Sequence, residues 1–553
     1  IGADNHASGR GAVYSYVKTA DDVYAENSLL TLASVTGVTG YGNDIAFADE
    51  TYAVAGASTS NGGQGYAVVI KQPNKNLLTE HQLLVTPDGN PTSLGNFGDA
   101  VAISQNGRMI YVGAPGKDRV YGYQKIDRQL QRATFIGDGS TVSYDVSDYI
   151  ISAGNQEDQI TVVVGTTTLA VSDYNFAGDV VTLDTAAKAG QEVNITRNET
   201  IMLAGDGSTT QFDITGLYTV DGLHSIQVFL NGTLQRPELD YSYEADSSLT
   251  FEFVTAPTDG ASIEIRSSDY YEHIITIAGN EGERFGDSLS TTSDGRQIII
   301  GAPLAESNGI SNVGKVYIYD RDVQRIQQTV TGNKTFTVEQ TPQGRAEVYV
   351  NNVYQTNSTY YIGGTYTFTT KTATLATAPL LGDFVEIETN NVQLVDTIEM
   401  TNANQSAGFG STVKICPTNC SVYAGAPTSN QEVPEGGSVT RAVNQSRLYG
   451  TITGTVATPT VTSGHKIRIN NYVVEFTNTT LAQVVIDINN SNIPNVVASA
   501  TADNKLTISL INVDAGEVAN KLYVLPASSG ATPLTDLGLD IFAVVQTITN
   551  PYP

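Results

Sequence analysis

Hydrophobic and polar positions along the chain repeat a pattern that predicts a β-hairpin. In residues 284–303, RFGDSLSTTSDGRQIIIGAP, an aromatic-Gly pair precedes a short alternating stretch, an Asp-Gly turn and an apolar run that ends in Gly-Ala-Pro. Alternation predicts a half-buried strand, and Asp-Gly is typical of a tight hairpin turn. The continuous apolar run predicts a second strand that is buried on both faces.

This hairpin pattern recurs along the chain. The other copies are residues 40–58, which match more loosely, 96–115 and 408–427. A third strand, usually opened by Gly, follows each hairpin, and a fourth precedes the next aromatic-Gly pair, as in residues 273–279. Residues 1–4, IGAD, look like the end of a further copy. A repeated four-stranded unit predicts the blades of a β-propeller.

The repeated units resemble the FG-GAP repeats of integrin α-subunit β-propellers, and the resemblance covers about half of the chain. It implies blades arranged around a common axis. Many blades of that family hold calcium in a cage of Asp and Asn between two strands. The equivalent loops here read SQNGR, TTSDGR, FADET and CPTNC. They supply too few carboxylates for Ca²⁺, which takes six to eight oxygen ligands, so we expect no metal and no cofactor.

The spacing of the aromatic-Gly pairs indicates inserted modules. Gly42 and Gly98 are 56 residues apart, whereas the next intervals, to Gly286 and then to Gly410, are 188 and 124 residues. The extra length holds two copies of a GDGST motif, in residues 135–146 and 203–214, and a fainter copy in residues 330–338. Short strands between Gly and Asn-Gly turns predict small antiparallel sandwiches.

A fourth insertion differs from these three modules. Residues 467–476 predict a hairpin, and residues 480–492 predict a helix that Thr480 caps, with Leu481, Val484, Val485 and Ile488 on one face. Residues 542–550 predict the delayed fourth strand of the last blade. The predicted fold is therefore all-β, a β-propeller of four-stranded blades with inserted small β-sandwich modules and one α+β module.

These patterns divide the chain into alternating blades and inserted modules. The predicted blades are residues 1–128, 272–324, 392–445 and the return strand 542–553, and the predicted modules are 129–198, 199–271, 325–391 and 446–541. Each module is inserted between the third and fourth strands of a blade, because a hairpin tip tolerates insertion. We therefore expect the modules to project from the propeller. Because the chain begins and ends inside the repeat, we expect it to be part of a longer polypeptide.

Bulk composition excludes some classes of function. The formal net charge is −28, and the Lys and Arg residues are scattered, whereas binding to nucleic acid needs a basic face. No apolar run reaches the ~20 residues that a membrane helix needs. We therefore expect neither nucleic-acid binding nor membrane insertion.

Candidate chemistry in the sequence is sparse. The five His residues are far apart, and no nucleophile, metalloprotease or phosphate-loop motif is present. Asp99 and Asp287 follow Phe-Gly in two units and could form a carboxylate pair, but a turn-capping role is the simpler interpretation because Asn43 and Ser411 stand at the other equivalents. The GDG segments could bind a cation or form a tight turn, and the turn is favoured. We expect no enzyme activity and no catalytic residues.

Two further features concern bonding and contact. Cys416 and Cys420 flank the turn of the last hairpin, where a disulfide could form, although a reducing cytoplasm during assembly argues against it. Exposed aromatics could stack on sugars or pack at interfaces. The candidates are Tyr270, Tyr271, Tyr360 and Tyr361. The alternative is that they are strand residues on half-buried faces.

The GDGST modules and the α+β module resemble modules of large virion structural proteins of tailed phages, especially marine and cyanobacterial myophages. The resemblance implies a non-enzymatic structural protein of the phage tail, baseplate or fibre, oligomeric within the particle. Its expected partners are other virion proteins and host-surface glycans or proteins. One alternative is a cell-surface or extracellular adhesin with an integrin-like propeller, and another is a carbohydrate-active enzyme on a propeller.

Overall fold

The protein is an all-β structure of many small antiparallel sheets. The computed structural model describes residues 1–553 except 21–22, 32–37, 49–51, 75–76, 88–94, 127–131, 147–159, 166, 179, 198–199, 215–225, 236–239, 244–249, 268–269, 308, 339, 343–345, 352, 356–365, 401–406, 417–420, 428–437, 445–450, 471, 512–521, 523, 527–532, 540–541 and 550–553. No helix in the described part of the chain is long and apolar enough to cross a membrane.

Five sheets, named A to E in chain order, carry the repeat. Sheet A has three strands, Gly2–Ala3, Ala12–Ala20 and Val23–Leu30. Sheet B has four, Ile45–Phe47, Tyr52–Ala57, Tyr66–Asn74 and Leu77–Leu84. Sheet C contains Val101–Ile103, Met109–Ala114, Arg119–Ile126 and Tyr270–Ala278. Sheet D contains Ser288–Thr291, Gln297–Ala302, Lys315–Gln327 and Phe384–Glu399. Sheet E contains Thr412–Ile415, Ser421–Ala426, Ser438–Asn444 and Phe542–Thr549.

The hairpin turns form as the sequence predicts. Gly107 and Gly295 both have a positive φ, 68° and 70°, and the amide of each donates to a carbonyl three residues earlier. Side chains before the turn support it, because the Ser104 hydroxyl accepts the Met109 amide at 2.9 Å. Short helical turns follow the first strand of sheet A and the second strands of sheets B and C: His6–Gly9, Ser60–Gly63 and Pro115–Lys117. Gly2–Ala3 of sheet A corresponds to the second strands of the other sheets.

Modules 1 and 2 are each built from two small sheets that share one hydrophobic core. Module 1 contains the strands Arg132–Ile136, Ser143–Asp145, Ile160–Val164, Thr167–Thr168, Tyr174–Ala177, Val180–Leu183 and Glu192–Arg197, with a 3₁₀ turn at Val171–Asp173. Module 2 contains Thr200–Ala204, Gln211–Asp213, Ile226–Leu230, Thr233–Gln235, Tyr241–Tyr243, Thr250–Phe253 and Ser262–Ser267.

Module 3 has the same two-sheet plan, and module 4 adds helices to its sheets. Module 3 contains Thr335–Thr337, Glu347–Val350, Val353–Gln355, Tyr366–Thr369 and Thr372–Leu375. Module 4 contains Thr451–Thr453, Lys466–Ile469, Tyr472–Glu475, Val496–Ala500, Leu506–Leu510 and Val524–Pro526, with helices Leu481–Asn490 and Pro533–Asp536. The predicted helix and its cap are confirmed, because Thr480 accepts the Gln483 amide at 3.4 Å.

Strand pairing places every module between the third and fourth strands of a sheet. In sheet C, Ile126 pairs with Tyr270 across modules 1 and 2. In sheet E, Asn444 pairs with Phe542 across module 4, so Phe542–Thr549 forms the fourth strand of that sheet.

Module 3 is not the separate, projecting module that the sequence predicts. The third and fourth strands of sheet D continue past Arg321 and Val392 into the module, and Gln327 still pairs with Phe384. Two module strands extend this sheet to six strands. The predicted boundaries at residues 325 and 391 therefore fall inside continuous strands.

Candidate functional site

Consecutive sheets are joined by one repeated glycine contact. In sheets A to D, the glycine of the Gly-Ala pair lies against the glycine of the next aromatic-Gly pair so closely that a Cβ on the first would be 1.9–2.0 Å from the carbonyl oxygen of the second. The pairs are Gly2 with Gly42, Gly56 with Gly98, Gly113 with Gly286, and Gly301 with Gly410. Only glycine permits this approach. This contact explains why both dipeptides recur at fixed positions.

The aromatic residue of each pair makes a second junction. Tyr41, Phe97 and Phe409 form parallel bridges with Gly11, Gly65 and Gly314. These glycines stand immediately before Ala12–Ala20 of sheet A and before the third strands of sheets B and D. These three aromatic side chains are fully buried.

Sheet C replaces the strand-opening glycine by an aspartate. Asp118 has a φ of 51° and stands immediately before the third strand. Its carboxylate accepts the Phe285 amide at 3.0 Å and the Gly282 amide at 2.7 Å. Aspartate tolerates a left-handed backbone better than most residues, and its side chain supplies the junction that the backbone bridge supplies elsewhere.

The first strands of sheets B to E line a cleft of about 590 Å³, which is the candidate functional site. The lining is formed by residues 43–47, 99–103, 287–291 and 411–414. Adjacent first strands are tied together by side chains. The Asp44 carboxylate accepts the Val101 amide at 2.7 Å, and the Ser290 hydroxyl accepts the Ile415 amide at 3.1 Å.

Two carboxylates that are distant in the sequence meet at this cleft. Arg284 donates from Nε to Asp287 at 2.7 Å, and its Nη2 lies 3.4 Å from Asp99. The Asn43 amide donates to the carbonyls of Gly98 and Asp99 at 3.2 and 2.9 Å. The two aspartates, which the sequence favours as turn caps, are thus drawn together by an arginine.

Burial raises the pKa of Asp99, and the neighbouring Asp287 carboxylate contributes to the rise. A hydrogen bond from Ser58 and the charge of Arg284 oppose it. Carboxylates and hydroxyls, among them those of Asp44, Asp287 and Ser288, line the cleft, an arrangement suited to polar contacts.

A buried charge network fixes module 3 to the sheets. Arg108 of sheet C pairs with Glu347, and Arg296, from the turn before the second strand of sheet D, pairs with Glu386 and, at 3.1 Å, with Glu388. Arg108 and Arg296 stand at the same position of the repeat, directly after the hairpin turn. The sequence shows an Arg directly after the turn in the two closest copies, but this recurrence was not recognised as a sign of an ion-pair network.

The network continues into the strands that module 3 shares with sheet D. Arg321 lies 3.1 Å from Glu388 and also donates to Asn390, whose amide in turn donates to Gln124 of sheet C at 2.9 Å. Burial raises the pKa of Glu388, but the charges of Arg321 and Arg296 outweigh it, so the net pKa is lowered. Glu388 is therefore held as a carboxylate between two guanidinium groups.

Arg468 docks module 4 on the third strand of sheet D. This side chain is buried, and its Nη1 lies 3.2 Å from Asp322 and donates to the Val323 carbonyl at 3.0 Å. Its Nη2 lies 3.4 Å from Asp320. The expectation of projecting modules is thus corrected for modules 3 and 4, because buried ion pairs anchor both.

The sequence-predicted contact aromatics divide into two groups. Tyr270 and Tyr271 are 4% and 1% exposed, so their prediction as surface-contact residues was wrong. The Tyr271 hydroxyl donates to the Gly107 carbonyl at 2.6 Å, and its backbone exchanges hydrogen bonds with the Gln82 side chain. Both residues begin the fourth strand of sheet C, at its edge, and Tyr271 packs against Tyr52 in the core between sheets B and C. Tyr360 and Tyr361 lie outside the described residues.

The cysteine and GDG predictions have different outcomes. Cys420 lies outside the described residues, so the disulfide stays a prediction, and the Cys416 amide donates to the Ser421 carbonyl at 2.8 Å. The turn interpretation of GDG is confirmed. Asp138 accepts the amides of Ser140 and Thr141 at 2.7 and 2.6 Å.

Within the described ranges, no group of three or more His, Cys, Asp or Glu side chains is arranged to hold a metal ion. The histidines serve separate contacts. His81 of sheet B receives the Gln227 amide of module 2 at 3.3 Å, and His273 bonds with the Ile275 carbonyl in sheet C at 3.0 Å. No protein-family model and no curated protein matches this chain.

Proposed function

We propose that sheets A to E are consecutive blades of a β-propeller. The support is the order of strands within each sheet and the same glycine contact at all four junctions. First strands that line one cleft are the arrangement expected at a propeller axis. An electron cryomicroscopy map with the five sheets radiating from that cleft is the expected result, and sheets related by translation alone would contradict it.

We further propose that the chain is a non-enzymatic structural protein of a tailed-phage particle, in the tail, baseplate or fibre. The sequence resemblance of its modules supports this assignment. The observation that carries the scaffold role is the buried docking of modules 3 and 4 through Glu388, Arg468 and their partners. Buried pairs of this kind favour one defined arrangement over others, which suits modules that must meet neighbours at fixed positions. The partners are other virion proteins and host-surface glycans or proteins.

Location is the first test of this proposal. An antibody against the chain should label tails, baseplates or fibres of gradient-purified phage particles in electron micrographs, and mass spectrometry should detect the chain there. Recovery from a cell-surface fraction, with none in purified particles, would instead support the adhesin alternative.

Removal of modules 1 and 2 tests whether the sheets form a scaffold that folds without these inserted modules. Replacing residues 127–269 by Asn-Gly joins Ile126 to Tyr270, which already face each other in sheet C, through a two-residue hairpin turn. The shortened chain should keep its strand circular dichroism and a cooperative melt, while particle assembly or host adsorption weakens. Full assembly and adsorption by the shortened chain would contradict the assigned role of the modules.

A further inference from the structure

Among the residues that the structure describes, sheet E lacks the neighbour that sheets A to D each have. In those sheets the Gly-Ala glycine lies against the next aromatic-Gly pair, but a Cβ on Gly425 would meet, among the described residues, only its own neighbour Thr412, at 3.6 Å. Gly425 does not have a positive φ, so its backbone conformation does not require glycine. The glycine contact is thus present at four junctions and open at the fifth position.

The side chains around Gly425 are exposed where their equivalents are buried. Tyr423, two residues before the glycine, is 42% exposed, and Val439, opposite the glycine on the third strand, is 48% exposed. The equivalents of Tyr423 are all at 0%: Val54, Tyr111 and Ile299. The equivalents of Val439 are also at 0%: Ala67, Val120 and Val316.

The first strand of sheet E is likewise exposed where its equivalents are buried. Lys414 pairs with Tyr423 and is exposed, whereas Ala102 and Ser290, at the same position of sheets C and D, are buried. We call the surface formed by Thr412, Lys414, Tyr423, Gly425 and Val439 the open face. It is continuous with the established series of sheet-to-sheet interfaces and carries the same glycine.

We propose that the open face binds one further β-sheet of this repeat, from outside residues 1–553, through an aromatic-Gly pair whose glycine carbonyl lies over Gly425. Covering Tyr423 and Val439 would remove apolar surface from water, which favours association. The Thr412 hydroxyl stands where Ser288 donates to the Gly410 carbonyl at 2.7 Å in the preceding junction. It is positioned to donate in the same way.

A second copy of this chain does not fit the open face. The aromatic-Gly pairs of sheets B to E are all engaged by the preceding sheet, at Gly2, Gly56, Gly113 and Gly301. Sheet A begins at Gly2–Ala3 and brings no aromatic-Gly pair of its own within the described residues. The occupant is therefore defined by its chemistry, an unengaged aromatic-Gly sheet. This inference rests on the sheet junctions and not on the assignment to a phage particle.

The test supplies such a segment at the position where the repeat would place it. A copy of residues 96–115, the hairpin that carries Phe97-Gly98, is appended after Pro553 through a short Gly-Ser linker. The matched control carries Gly98→Val in the appended copy only. Linkage raises the local concentration to the millimolar range, which favours docking of a weakly stable hairpin.

The rate of amine labelling of Lys414 measures how far the open face is covered. Mass spectrometry quantifies this rate relative to that of the exposed Lys188 of module 1. We expect the appended hairpin to slow Lys414 labelling at least about threefold relative to the control, because a linked segment is docked most of the time when its effective concentration exceeds its dissociation constant. Gly425→Val in the host should abolish the protection and leave the melting temperature of the unappended chain unchanged.

Three results would overturn the proposal. Equal Lys414 labelling with the appended hairpin and with its valine control would show that the face does not recognise aromatic-Gly. A fall in melting temperature on Gly425→Val as large as that caused by Gly301→Val would show that the face is already covered. Dimerisation of the unappended chain that Gly425→Val abolishes would make a second copy the occupant. Each result leaves the location of the chain in phage particles as a separate question.

Discussion

Gly301 and Gly410 approach so closely that a Cβ on Gly301 would lie 1.9 Å from the Gly410 carbonyl oxygen. The Gly410 amide also donates to the Gly425 carbonyl of its own sheet at 2.9 Å, which holds the Gly410 backbone in position. Neither backbone can move away without separating sheets D and E. This single contact explains the recurrence of Gly-Ala and aromatic-Gly better than turn formation does.

Gly301→Ala should therefore lower the free energy of unfolding by about 3 kcal/mol, the upper part of the range for overpacking in a core. Gly425→Ala is the matched control, since it makes the same chemical change at the equivalent position, and among the described residues its Cβ would meet only Thr412. Urea unfolding of both variants measures the difference. Equal stability of the two variants would show that the junction between sheets D and E is not closed in solution.

Arg468→Met should destabilise the docking of module 4, because Asp320 and Asp322 would remain buried without their counter-charge. Removal of one partner of a buried pair costs about 3–5 kcal/mol. Limited proteolysis should then cut module 4 earlier than the rest of the chain.

Lys466→Ala is the control for Arg468→Met. Lys466 lies two residues away on the same strand and pairs with Glu475 at 3.5 Å on the surface. An exposed pair contributes about 0–1 kcal/mol, so the proteolysis pattern should not change. If both variants were cut alike, Arg468 would not be the anchor of the module.

Local patterns in the sequence predicted the repeat, the inserts and the helix, because they depend on periodicity and turn chemistry. The apolar residues Val484 and Ile488, four positions apart as in a helix, and the cap at Thr480 are sufficient to predict the helix Leu481–Asn490. The return strand Phe542–Thr549 was predictable because the repeat required a fourth strand.

The charge network could not be predicted in the same way. In the third strand of sheet D, the polar residues Asp320, Arg321 and Asp322 resemble the end of a strand, and the predicted boundary lay shortly after them, between residues 324 and 325. Their partners Glu388 and Arg468 come from distant parts of the chain, and pairing at that distance is set by the tertiary fold. Tyr271 was misassigned for the same reason, since its contacts Tyr52 and Gly107 come from distant parts of the chain.

The lowered pKa of Glu388 makes the attachment of module 3 sensitive to acid. Burial alone would raise this pKa, but Arg321 and Arg296 lower it below its ordinary value. Since the folded pKa is below the unfolded value, the stabilisation is complete above the ordinary glutamate pKa of about 4.3 and is lost as pH falls through the lower folded pKa.

Glu388→Gln should therefore lose stability at neutral pH and show a smaller further loss on acidification than the wild type. Urea unfolding between neutral pH and the acid range measures both effects. Glu192→Gln, on an exposed strand position of module 1, is the control, and it should retain the acid dependence of the wild type. An unchanged acid dependence in Glu388→Gln would contradict the assignment.

The GDG turns should be stable without a metal ion, because protein donors already occupy the aspartate oxygens. Asp206 accepts the amides of Ser208 and Thr209 at 2.8 and 2.6 Å and the Thr209 hydroxyl at 2.6 Å. Hydrogen bonds from Thr209 and Ser208 lower the pKa of Asp206, as expected for a carboxylate held by several donors. EDTA should therefore leave the melting temperature unchanged. Asp206→Ala should lower the melting temperature of module 2, and Asp206→Asn should lower it less because one acceptor oxygen remains. A fall with EDTA that Ca²⁺ reverses, and that Asp206→Ala abolishes, would show that the turn binds a cation.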